Sequence, residues 1–155
     1  MPGKIEQKLA DLGLELPNAP PPAGNYVPYV ISGNLIFVSG QIPLGSNGPE
    51  YQGKLAQDFS IEDGQAAARL CALNLLAQVK SALDGDLDRV VRCVKLGGFV
   101  NAPAEFTQHP QVINGASDLM VEVLGDAGKH ARFAVGASNL PLDVAVEIDG
   151  IFEFA

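Results

Sequence analysis

The stretch HARFAVGASNLPLDVAVEIDGIFEF, residues 130–154, decides how the rest of the chain is read. Its first half is a β-strand pattern of small and apolar residues holding one long cation. Successive side chains on a strand point to opposite faces. Phe133, Val135 and Ala137 therefore share one face, and His130, Arg132, Ala134, Gly136 and Ser138 share the other. The second face offers a guanidinium with little bulk around it, a place where something else fits. In the second half Val144, Val146, Ile148 and Phe152 face one way while Glu147, Asp149 and Glu153 face the other. The two halves read as a strand pair joined around Leu140-Pro141-Leu142.

Working outward, HPQVINGASDLMVEVLG (109–125) predicts a helix whose apolar stripe is Val112, Ala116, Leu119, Met120 and Val123. VVRCVKLGGFV (90–100) is nearly all apolar and predicts a central, covered strand. From Ile61 to about Leu83, apolar residues recur at spacings of three and four, with Ser60 as N-cap and Asp63 three residues into the helix. YVPYVISGNLIFVSGQIP (26–43) predicts two extended runs turning at Ser32-Gly33-Asn34, with Pro28 marking the first as an edge strand. Gly45 to Gly53 is expected to be a loop. PNAPPPAG (17–24) excludes regular helix or central strand, because proline lacks an N–H, and it follows a short amphipathic helix near Lys4 to Leu12.

The order, ββαβαββ after a leading helix, predicts an α+β fold with two helices on one sheet face. Residues 1–21 form the N-terminal helix and Pro-rich linker, and residues 22–155 the main domain. The opposite sheet face is expected to hold Arg132, Glu147 and small residues. Packing that face against copies of the chain predicts a symmetric oligomer with clefts between subunits.

Composition narrows the function. A chain of 155 residues, 47% apolar and 18% charged, is one ordinary domain able to bury its own core. The first residues are charged throughout and show neither a signal peptide nor a membrane span, so a cytoplasmic, membrane-free protein is expected. A net charge of -8 with ten scattered Lys and Arg disfavours nucleic acid, whose binding needs phosphate neutralisation. Cys71 and Cys93 form no CxxC pair, and His109 and His130 are far apart in sequence. Free buried thiols and no metal site are expected.

SGQIP near the start, combined with an arginine strand followed by LPLDVAVEI, resembles the RidA/YjgF family, the reactive intermediate deaminases once named L-PSP endoribonucleases. The resemblance covers roughly Ala23 to Phe154. It implies a chorismate-mutase-like fold assembled as a homotrimer, with ligand clefts between subunits and no cofactor. It also implies hydrolysis of 2-imino acids to 2-keto acids and ammonia. On this resemblance Arg132 binds the substrate carboxylate and Glu147 stands near the attacking water. Tyr26, Ser39, Gly40, Asn114 and Ala134 line the cleft. Ala134 stands where many members carry Cys, and Phe133 replaces a small residue beside it.

The residue types suit that chemistry. The planar fork of arginine binds a carboxylate through two parallel hydrogen bonds and stays charged. A partly buried glutamate with a raised pKa can orient water and relay its proton. Structural alternatives are equally concrete: Arg132 pairs with Glu147 or Asp149 on a neighbouring strand, Tyr26 is a strand aromatic, and Asn114-Gly115 marks a helix kink. A second function class is a non-catalytic trimer that captures small carboxylates, and a third is an endoribonuclease.

Overall fold

A computed structural model describes residues 2–155. The elements are α1 (Lys4–Asp11), β1 (Tyr29–Ser32), β2 (Leu35–Gln41), β3 (Leu44–Gly45), β4 (Gly48–Pro49), α2 (Ile61–Ala82), β5 (Val90–Asn101), α3 (His109–Leu124), β6 (Ala131–Ala137) and β7 (Val146–Phe154). β3 and β4 make a two-residue ladder inside the segment expected to be a loop. α2 begins with a reciprocal cap: Ser60 Oγ accepts from the Asp63 N–H at 3.2 Å, and Asp63 accepts from the Ser60 N–H at 3.1 Å. α1 has no cap of its own. Asp88 supplies one across the chain, accepting from the N–H groups of Lys4 and Ile5 at 2.9 Å each, and these bonds hold its carboxyl below the ordinary range. Leu9 enters the core from α1 and Glu6 pairs with Lys80 of α2, so the first helix is docked on the body.

The sheet runs β1-β2-β7-β5-β6, antiparallel except for the parallel pair β5/β6. The expected pairing of the last two strands does not form, because β5 lies between them. The chain leaves β5, crosses through α3 and returns beside it as β6, the βαβ crossover that makes neighbours parallel. Residues 138–145 then pass over the end of β5, with Leu142 and Asp143 at φ 59° and 58°. A tight hairpin would need a two-residue turn instead.

α2 and α3 cover one face. Ile36, Leu96, Ile148 and Phe152 from the sheet pack there against Leu75, Leu76, Ile113, Leu119 and Met120, all buried. α3 runs unbroken through Asn114-Gly115, so the pair marks no kink. Gly115 serves a close helix approach: a Cβ there would stand 2.1 Å from the Gln65 carbonyl oxygen of α2. The other face is uncovered in the single chain. Phe133 lies over Gly97 and meets Phe99 edge-on at 5.4 Å, while Val30, Phe37 and Val135 remain 53%, 41% and 42% exposed.

Both cysteines are free and buried, as expected. Burial pushes the Cys93 thiol up to about 12 and Cys71 well above its ordinary value, the latter helped by the Glu147 charge. A thiol reagent is therefore expected to modify neither until the chain unfolds, which timed thiol titration with and without denaturant checks. Gly115→Ala forces α2 and α3 apart and is expected to cost about 1–3 kcal/mol, the usual range for overpacking, read from denaturant melts.

Candidate active site

Arg132 leaves β6 on the helix-covered side. Its Nη1 donates to Asn114 Oδ1 at 2.8 Å and to Ser117 Oγ at 3.1 Å, and its Nη2 to the Pro110 carbonyl at 3.4 Å. All three acceptors are neutral. Among the described residues no carboxylate forms an ion pair with it, which excludes the structural salt bridge to Glu147 or Asp149 within the chain. His130 steadies the arrangement from two residues away. Its Nδ1 lies 2.6 Å from the Gly128 carbonyl, which can only accept, so a ring with one proton carries it there. Nε2, 2.9 Å from Ser117 Oγ, then accepts a hydrogen bond from the hydroxyl and leaves the serine oxygen free to accept from Arg132. Ala134 continues the same side of β6 and offers only a methyl group.

Glu147 is half-buried on the uncovered face. Burial, and then the neighbouring charge of Asp149, push its carboxyl above the ordinary range. Gly40 makes room for it: a Cβ there would stand 3.2–3.4 Å from the Glu147 side chain. Gly40 lies where β2 slips register between Val38 and Gln41, a bulge that re-aims the strand beside the carboxylate. Tyr26, Gly40 and Glu147 line one apolar cleft of about 700 Å³, walled by Pro20, Pro21, Pro22 and Leu142. Tyr26 is 50% exposed there, and its hydroxyl accepts from the Ala23 N–H at 3.2 Å. Ser39 has a fastening role: its hydroxyl donates to the Val27 carbonyl at 2.8 Å and its N–H to the Pro28 carbonyl at 2.9 Å.

The expected sharing of one face by Arg132 and Glu147 is wrong. β5 fixes the parity between their strands: Phe99 is opposite Glu147 and Val135, while Gly98 is opposite Ile148 and Ala134. Opposed residues share a face, so Glu147 stands with Val135 and Arg132 stands with Ala134 on the other side. The chain thus holds the expected site residues in two separate groups. Arg132, Asn114 and Ala134 form one, and Glu147, Tyr26 and Gly40 the other.

A family model described as “YjgF/chorismate mutase-like, putative endoribonuclease” matches residues 6–153. The chain belongs to that family. Among YjgF-family relatives, protein TCP17 of Trypanosoma cruzi is 49% identical, covering 97% of this chain and 94% of its own. A 2-iminobutanoate/2-iminopropanoate deaminase of Escherichia coli is 32% identical over 86% of this chain and 91% of its own. A crystal structure of a protein of unknown function from Agrobacterium tumefaciens superposes with a TM-score of 0.92 at 49% identity, covering 98% of this chain and 93% of the other.

Ser117 and His130 escape sequence reading of this YjgF-family chain, although both had a signal. Ser117 follows Asn114 by three residues on one helix face, and His130 precedes Arg132 by two on one strand face. Ser117→Ala removes one bond to a charged donor, about 1.5 kcal/mol, and is expected to weaken binding of a 2-keto carboxylate roughly tenfold, measured by calorimetry. Asp149, beside Glu147, also has its carboxyl raised, chiefly by burial. A raised folded pKa means stability is lost as pH rises through it. Asp149→Asn is accordingly expected to melt higher than the native protein at pH 7 and to lose that advantage below the ordinary carboxylate range.

Proposed function

We propose that the protein is a cofactor-independent imine hydrolase that converts small 2-imino carboxylates to 2-keto acids and ammonia. The observation that carries this reading is the Arg132 guanidinium, aimed by three neutral acceptors and, among the described residues, without a carboxylate ion-pair partner. A substrate carboxylate completes it through two parallel hydrogen bonds. The deaminase relatives support the substrate class. Because Glu147 lies on the opposite face, the catalytic pair is completed between chains, and a homotrimer joining the two groups as half-sites through the uncovered apolar face is part of the proposal.

In the proposed reaction Arg132 holds the carboxylate and so fixes the imine carbon. Glu147, ionised, accepts a proton from water as the water oxygen bonds to the carbon of the protonated imine, and the C=N π electrons pass to nitrogen, giving a neutral carbinolamine. Glu147 returns that proton to the carbinolamine nitrogen, the C–N bond breaks as Glu147 takes the hydroxyl proton and the carbonyl forms, and the departing ammonia carries this proton away as ammonium. Orientation carries most of the effect, since the protonated imine is already electrophilic. Tyr26 and the prolines of its cleft shield the reacting centre from bulk water, and no step needs a thiol, so Ala134 is compatible with turnover.

Arg132→Ala is expected to lower kcat/KM at least a hundredfold, about 3 kcal/mol of lost anchoring, in ammonia-release assays with freshly generated 2-imino acids. Glu147→Gln is expected to cost about 10²–10⁴ in kcat. The native rate rises with pH through the raised Glu147 pKa, and this limb is absent from the variant. Ala134 also favours a second reading, a carboxylate-capturing trimer, because it leaves the Arg132 half-site without a reactive side chain. Saturable 2-keto acid binding with no hydrolysis above background would select it.

A further inference from the structure

We propose that the Arg132 side of β6 continues into a second anion-binding subsite, built by the Lys54 ammonium and the His109 ring, which takes the far carboxylate of a dicarboxylic 2-imino acid. This deepens the reading of Arg132 as carboxylate anchor and rests on it.

A cleft of about 540 Å³ lies at the C-terminal end of β6, lined by Lys54, Phe106, His109, Gly136 and Ser138 among others. The Lys54 ammonium donates to Asn101 Oδ1 at 2.7 Å and to the Ser138 carbonyl. Asn101 is fully buried and spends its Nδ2 on the Gly53 and Val144 carbonyls and on Asp143 Oδ1, at 3.3, 3.1 and 3.1 Å. Its Oδ1 is therefore fixed toward Lys54. Among the described residues no carboxylate pairs with this ammonium, whereas Lys80 and Lys129 each have one. Asp58 is nearby but accepts from the Lys54 backbone N–H at 2.8 Å. In a chain of net charge -8, a pinned cation facing a cleft with no carboxylate at ion-pair distance among the described residues points to an anionic ligand.

His109 supplies the second donor. Its ring is held edge-on by Phe106 at 5.2 Å and lies against Gly136, where a Cβ would stand 2.6 Å from Nε2. Arg132, Ala134 and Gly136 share one face of the strand, so anchor and cleft are about 13 Å apart along the backbone at roughly 3.3 Å per residue. The Arg132 side chain shortens that gap by leaning to the Pro110 carbonyl, adjacent to His109. Between them Ala134, packed against the core, adds only a methyl group. A diacid held at one end by Arg132 runs along the edge of β6 past Ala134 and presents its second carboxylate to His109 and Lys54.

Calorimetric titration with 2-oxobutanoate, 2-oxosuccinate, 2-oxoglutarate and 2-oxoadipate tests this on the native protein. At least one diacid is expected to bind tenfold or more tighter than 2-oxobutanoate. Lys54→Gln is expected to shrink that ratio below threefold, His109→Gln to reduce it in part, and Arg132→Ala to weaken every acid; melting curves check that each variant folds. Equal binding of mono- and diacids, or a diacid preference that survives both Lys54→Gln and His109→Gln, overturns the subsite. Imine turnover measured alongside separates the two proposals. A diacid preference lost in Lys54→Gln without hydrolysis of any imine retains the subsite and removes the deaminase, and hydrolysis without diacid preference does the reverse.

Discussion

The parallel pairing of β5 with β6 is the constraint on which the site depends. β5 is hydrogen-bonded on one edge to β7 and on the other to β6, so its register sets the relative facing of every side chain on those two strands. A one-residue slip would turn the whole of β6 over. The observed register sends Arg132 toward α3 and Phe133 over Gly97, and it sends Glu147 to the uncovered side. No rotamer change brings the two charges together within one chain. A cation and a carboxylate on opposite sides of a sheet form a catalytic pair only when one copy's helix-side edge meets another copy's uncovered face.

Two further constraints hold this geometry in place. Gly115 lets α3 approach α2 at backbone distance, which fixes the height of Asn114 and Ser117 above β6 and hence where the guanidinium stops. Asn101 ties the end of β5 to the loop at Gly53 and to the crossover at Asp143 and Val144. Its buried amide satisfies carbonyls that would otherwise be stranded where the chain passes over the sheet, and each such loss costs about 1–3 kcal/mol. The same asparagine orients Lys54, so a residue needed for the fold also shapes the cleft.

Local patterns in the chain were legible, and long-range ones were not. Ser60, Asp63 and the three-and-four spacing that follows predict α2 because helix signals lie within a few residues of one another. Alternation likewise predicts which residues of β7 are buried. The partner of a strand is a non-local property, however. β6 and β7 are adjacent in sequence, which favours pairing them, and only the crossover through α3 places β5 between. Alternation separates Arg132 from Phe133 and Val135 but does not say which set the helices cover, and here the apolar set lies on the uncovered face. The residues named from the family resemblance do cluster, yet in two groups, and Ser39 turns out to fasten the segment before β2. Ser117 and His130 belong with Arg132 because a helix face and a strand face meet, and neither periodicity alone displays that.

The charge distribution gives the two groups different characters. The molecule is strongly acidic, and most of its cations lie at the surface, where solvent screens them and pairing is worth little. Arg132 and Lys54 are held by neutral oxygen acceptors instead, so their positions are fixed while their charge stays uncancelled. Glu147 and Asp149 show the converse, two carboxylates raised chiefly by burial on an apolar face, Glu147 also by the charge of Asp149. Covering that face with another copy of the chain deepens their desolvation unless a cation arrives with it. In the proposed trimer Arg132, which has no carboxylate at ion-pair distance among the described residues, is the cation such a copy would bring, and an anionic ligand between the two would sit where the fields of both groups converge.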